Sequence, residues 1–107
     1  MLSFIVNMII CNIVTFSVNE ITTLKDFKDC VNLQELYIRN NKIEHLYEIC
    51  YLKDLPNLRI LWLADNPCAN VENYRMTVLR NLPNLQKLDN VRKYGPWNDF
   101  FVMKIII

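Results

Sequence analysis

The chain has 107 residues, 52% of them apolar, and a formal net charge of +1 from 12 basic and 11 acidic residues. That length holds one domain. The near-neutral balance excludes the basic stripe of a nucleic-acid binder and the long like-charge tail of an electrostatic arm. A single glycine excludes a Gly-rich phosphate loop.

The first ten residues, MLSFIVNMII, carry no pattern, and no charged residue precedes Glu20. An apolar start of this kind raises the question of an export signal or membrane anchor. No Lys or Arg lies near Met1, and Asn7 and Asn12 interrupt the apolar run. From Cys11 onward the same residues fit a repeat, so they are read as core and no membrane partner is expected. Cys11, Cys30, Cys50 and Cys68 lie 18 to 20 residues apart without a CxxC. That is no zinc spacing, and the four are read as small buried apolar groups. No cofactor or metal is expected.

The repeat is the informative feature. Leu33, Leu36, Ile38, Asn41, Ile43 and Leu46 fill a template L-x-x-L-x-L-x-x-N-x-I-x-x-L. Moved back 22 residues, its slots hold Cys11, Val14, Phe16, Asn19, Ile21 and Leu24. Moved forward 25, they hold Leu58, Leu61, Leu63 and Asn66. Leu85 and Leu88 begin a fourth unit, but Asn90 takes its third apolar slot and the ladder ends there. In x-x-L-x-L, side chains alternate, so leucines enter a core and their neighbours point out. The pattern predicts an α/β leucine-rich-repeat solenoid, with a short parallel sheet on its concave face and a C-terminal helical cap. Asn19, Asn41 and Asn66 are expected to stack as a structural ladder, because a polar side chain near a core must be hydrogen-bonded.

Thr22 to Asp29 and Glu44 to Leu55 are expected to return along the convex side. In the second, Leu46, Ile49, Leu52 and Leu55 recur at a spacing that suits helical or 3₁₀ turns. Glu44, Glu48 and Asp54 are read as solubilising charges on that side. Val71 to Asn81 reads as a capping helix, with Tyr74, Val78 and Leu82 on one face and Pro83 blocking its continuation. Arg75 and Arg80 on that helix, with Lys87, form a small group of surface cations. Beyond Asn90 the sequence VRKYGPWNDFFVMKIII carries neither repeat nor motif. The organisation is therefore an unpatterned segment over 1–10, repeats over 11–70, a cap over 71–90 and an unpatterned tail over 91–107.

Leu61-Trp62-Leu63-Ala64-Asp65-Asn66-Pro67-Cys68, Tyr74 to Arg80 and Leu82 to Asn90 closely resemble one family. It is the leucine-rich-repeat cilia- and flagella-associated protein first named as a chromosome 21 open reading frame, and Glu35 to Ile43 fits it too. Tyr74 to Asp89 also resembles the C-terminal cap shared with the spliceosomal U2 A-prime protein and the acidic nuclear phosphoproteins. The first resemblance implies a role in ciliogenesis at the cilium, basal body or centrosome, in the cytoplasm with the nucleus as a second compartment. It also implies a link to DNA-damage repair and protein partners that include a NIMA-related kinase. Family members begin with a further repeat and carry a long C-terminal extension, so the unpatterned ends are read as a partial gene model.

Alternation assigns a candidate partner surface. Ile13, Thr15 and Ser17 point outward from the first unit, Glu35, Tyr37 and Arg39 from the second, and Ile60, Trp62 and Ala64 from the third. Thr15, Tyr37 and Trp62 form a column, and Tyr, Trp and Arg are enriched at binding hot spots. The bland alternative is that the two aromatics merely pack on each other or on the tail. His45 is read as a solvated surface histidine, since no Ser, Cys or Asp stands at a triad spacing. The expectation is a non-catalytic protein-binding module. The alternative is a ribonucleoprotein subunit of the U2 A-prime type that contacts RNA only through a partner.

Overall fold

The computed structural model describes residues 12–15 and 20–92. Cys11, Phe16, Ser17 and Asn19 lie outside the described residues, as do segment 1–10 and tail residues 93–107. Five strands follow one another in chain order: β1 (Ile13–Thr15), β2 (Glu35–Tyr37), β3 (Ile60–Trp62), β4 (Lys87–Leu88) and β5 (Val91–Arg92). They form one sheet in the order β1-β2-β3-β4-β5. The first four are parallel and β5 returns antiparallel to β4.

Each strand is short because each coil of the chain delivers only one x-L-x to the sheet. Val14, Leu36, Leu61 and Leu88 share one register level, and all four are buried. Parallel strands require a crossover. Here the crossovers are 3₁₀ turns at Lys25–Phe27 and Leu46–Leu52, then a third turn at Pro67–Asn70 followed by the single α-helix of the described residues, α1 (Tyr74–Asn81). Phe27, Ile49, Leu52, Cys68, Val78 and Leu79 close the core from the convex side. A 3₁₀ turn rises faster per residue than an α-helix and is narrower, which suits the 22- and 25-residue coils. The 27-residue step to the last unit accommodates α1.

The bends after β2 and β3 bury two asparagines. Asn66, 1% exposed, donates from Nδ2 to the carbonyls of Leu63 (2.9 Å) and Ile38 (3.0 Å) and accepts from the Ile43 amide at Oδ1 (3.2 Å). One coil earlier, Asn41 donates to the Ile38 carbonyl (3.0 Å) and accepts from the Ile21 amide (3.1 Å). Each amide therefore serves its own bend and the coil before it. The residue preceding each, Asn40 or Asp65, adopts a left-handed conformation (φ 62°), which short polar side chains tolerate best among non-glycine residues.

Five expectations need correction. The helix begins at Tyr74 and not at Val71: the turn at Pro67–Asn70 occupies the preceding chain, and Asn73 takes a left-handed φ of 63° that cannot belong to a right-handed helix. Glu48 is buried, not solubilising. The 3₁₀ turn aims its carboxylate at the preceding coil, where Oε1 accepts from the Leu24 amide (2.8 Å) and the Thr23 hydroxyl (2.5 Å). Cys50 is exposed, while Cys30 and Cys68 are buried free thiols. Finally, the sheet continues past Asn90 into β5. Leu46, also expected on the convex apolar row, is only half-buried against the core.

Replacing Asn66 with alanine leaves the Ile43 amide and the Leu63 carbonyl without side-chain partners. The expected cost is about 2–3 kcal/mol by urea denaturation, clearly more than for a surface asparagine such as Asn57→Ala. Equal costs for the two variants would contradict the assigned role of the buried amide.

Candidate protein interaction face

Register fixes what the concave face presents. Thr15, Tyr37 and Trp62 are Cα partners across β1, β2 and β3, and Ile13, Glu35, Ile60 and Lys87 form the neighbouring row. Thr15 and Ile13 are exposed, whereas Glu35, Tyr37, Ile60 and Trp62 are half-buried by one another. The Tyr37 and Trp62 rings lie with centroids 5.8 Å apart and planes inclined by 53°, a tilted contact that aromatic quadrupoles favour. The aromatics do pack on each other, and that packing leaves part of both rings open to solvent.

Polar neighbours hold the pair in place. The Tyr37 hydroxyl donates to Glu35 Oε1 (2.6 Å). That bond pushes the tyrosine pKa upward, so the hydroxyl remains a donor at neutral pH. Arg39 Cζ lies 5.8 Å from the Trp62 ring centroid, within cation–π range, while its Nε reaches Asp65 Oδ2 at 2.7 Å. Arg39 and Asp65 are more than half exposed, so their pairing orients more than it stabilises. Ala64 is half-buried beyond Trp62 and adds no functional group to the face.

The C-terminal end of the face is closed by Asp89, which sequence reading passed over. Its Oδ1 accepts the amides of Leu63 (2.7 Å) and Ala64 (2.8 Å), and its Oδ2 accepts the Tyr74 hydroxyl (2.9 Å). One coil earlier the equivalent amide, that of Ile38, donates to a strand carbonyl, that of Trp62. A carboxylate thus replaces a carbonyl where the chain turns away into β5. Asp89-Asn90 is a two-residue hairpin connection with Asp89 at φ 58°. The Asp-Asn pair before Val91 was the available sequence signal. Burial, reinforced by Asp89, drives the Tyr74 pKa strongly upward, and burial raises Cys68 from 9.0 to about 11.

The other singled-out residues lie elsewhere. His45 is exposed at the start of the Leu46–Leu52 turn, stacked on Tyr47 with ring centroids 5.0 Å apart and its Nε2 3.8 Å from Glu44. Arg75 donates to the Arg92 carbonyl (2.9 Å), Arg80 is exposed, and Lys87 belongs to the sheet and not to the helix surface. Among the described residues no cluster of His, Cys, Asp and Glu is suited to hold a metal ion, and no helix is long and apolar enough to cross a membrane.

The family described as Leucine Rich repeats (2 copies) matches residues 32–75, which span β2, β3 and the bends between them. The chain has a leucine-rich-repeat fold. Its resemblance to the cilia- and flagella-associated proteins also holds. It is 59% identical over 80 residues to cilia- and flagella-associated protein 410 of Mus musculus, and 58% identical over 80 residues to that of Homo sapiens. Each alignment covers 73% of this chain, against 32% of the mouse protein and 31% of the human one. The chain therefore spans about a third of the length of these relatives. Among solved structures it is similar to the SNF/U2A′ complex of Drosophila melanogaster, with a TM-score of 0.67, at 18% identity over 92% of this chain and 70% of that one. At that identity the likeness extends to the solenoid fold.

The raised pKa values set an alkaline limit on this fold. Below pH 9 the thiol of Cys68 and the hydroxyl of Tyr74 are protonated in folded and unfolded chains alike, and their full contribution is present. As pH rises the unfolded chain loses these protons first, so stability falls, for Cys68 between pH 9 and about 11 and for Tyr74 from pH 10 upward. Urea denaturation across this range should show the decline, and Tyr74→Phe should flatten its upper part. An unchanged slope in that variant would remove Tyr74 as a cause.

Proposed function

We propose that this chain is a non-catalytic protein–protein interaction module acting in cilium and basal-body assembly, with its partner seated on the concave face. The observation that carries the reading is the Tyr37–Trp62 pair, held partly open at the centre of the sheet by Glu35 and Arg39. Rigid aromatics beside an arginine make effective anchors, because little side-chain entropy remains to be lost on binding. Thr15, Ile60 and Ala64 flank them as shape-complementary surface.

The ciliary setting draws its support from the relatives at 59% and 58% identity. A NIMA-related kinase as partner, and the cytoplasm with cilium, basal body or centrosome as location, rest on the same family resemblance. The ribonucleoprotein alternative draws on shape and on the resemblance of the cap over Tyr74 to Asp89, and one scaffold serves many roles.

Tyr37→Ala combined with Trp62→Ala should abolish partner capture in proximity labelling of ciliated cells while circular dichroism stays unchanged. Full capture by a folded double variant would refute the assignment of the face. Recovery of spliceosomal proteins in place of basal-body proteins would select the alternative.

A further inference from the structure

The concave face is not electrically uniform. Its β1–β3 part carries Glu35 and the neutralised pair Arg39–Asp65. At the other end Lys87 and Arg92 are direct cross-strand partners on β4 and β5, and the exposed Arg59 stands immediately before Ile60 at the rim. Side chains of directly opposed residues share a face of the sheet, and Leu88 occupies the core, so Lys87 and Arg92 lie on the concave side. Like charges directly opposite one another destabilise a strand pair. Among the described residues none of these three cations forms an ion pair with a carboxylate. The nearest acid along the chain, Asp89, has both oxygens committed to Leu63, Ala64 and Tyr74.

We propose that this corner is the specificity-determining part of the interaction face, and that it selects a peptide segment bearing acidic residues beside an apolar anchor. The anchor packs on Tyr37 and Trp62, and the carboxylates meet Lys87, Arg92 and Arg59. Register places Ile60 between Glu35 and Lys87, so one extended or helical segment crossing three strands touches both parts. A nucleic acid would also find cations beside aromatics. Glu35 stands beside those aromatics, however, and would repel a phosphate backbone as it approached the stacking surface. The charge pattern therefore favours the peptide. This inference rests on the concave-face reading above and specifies the chemistry of its partner.

The test is selection of random dodecapeptides displayed on phage against the folded protein, followed by fluorescence titration of the recovered sequences and of an oligouridylate. The expected result is a set of peptides rich in Asp and Glu next to a large apolar residue. Their affinity should fall about tenfold on double charge reversal, Lys87→Glu with Arg92→Glu, and should weaken with added salt. Recovered peptides without acidic enrichment, or with affinity unmoved by the reversal, would overturn the charge assignment. So would an empty selection, or an oligouridylate that binds more tightly than any peptide. Trp62→Ala separates the two levels. Loss of binding in this variant together with indifference to charge reversal leaves the concave face standing and removes only the acidic preference. Retention of binding in Trp62→Ala removes the concave face itself.

Discussion

A solenoid must bend the chain sharply after every strand, and each bend turns backbone groups toward a dry interior. In this molecule the side-chain amide of Asn66 answers that demand, bonding Leu63 and Ile38 through its nitrogen and Ile43 through its oxygen. Two of those three partners belong to the preceding coil. The amide therefore satisfies a bend and also fixes one coil at a set height on the next. Asn41 repeats the arrangement with Ile38 and Ile21. A buried unpaired polar group costs more than a typical hydrogen bond gains, so slippage between coils is penalised at each asparagine. Parallel register, the shared core level of Val14, Leu36, Leu61 and Leu88, and the outward columns all depend on that alignment.

Glu48 supplies a second tie on the convex side, where its carboxylate meets the Leu24 amide and the Thr23 hydroxyl. The concave bends and the convex turns are thus pinned separately across consecutive coils. At the C-terminal end the device changes. Asp89 offers its carboxylate where the next coil would have offered a carbonyl, and Tyr74 from α1 donates to its other oxygen. The strand that follows runs antiparallel, and Arg75 donates to its Arg92 carbonyl. An exposed strand edge invites further pairing. The helix, the reversed strand and the arginine together give this end of the stack a closure that a plain repeat lacks.

The face that results is small, with strands of two or three residues each. On the proposed partner surface, binding would rest on a few well-held side chains. Tyr37 and Trp62 constrain each other, Glu35 fixes the tyrosine hydroxyl, and Arg39 lies near the tryptophan ring. Preorganisation of this kind lowers the entropy lost on association. Lys87 and Arg92 add local positive charge to one end only; on the proposed partner surface such charge would orient an acidic segment and discriminate more than it adds affinity.

Much of this architecture was legible in the residues because a repeat states its constraints several times. The x-L-x periodicity named the core row and the outward row, and the recurring asparagine marked the bends. The column of Thr15, Tyr37 and Trp62 follows from aligning equivalent slots. Where a slot occurs once, the sequence was silent. Glu48 looked like any surface acid, because only the 3₁₀ geometry of its turn directs it toward Thr23 and Leu24. Asp89 looked like a turn residue, because its three partners lie 15 to 26 positions away in the chain. Lys87 and Arg92 became neighbours only when β5 folded back. Local pattern determines which side chains face inward or outward, since that depends on backbone period alone. Which charged groups meet across coils depends on how successive coils stack, and that was decided only in three dimensions.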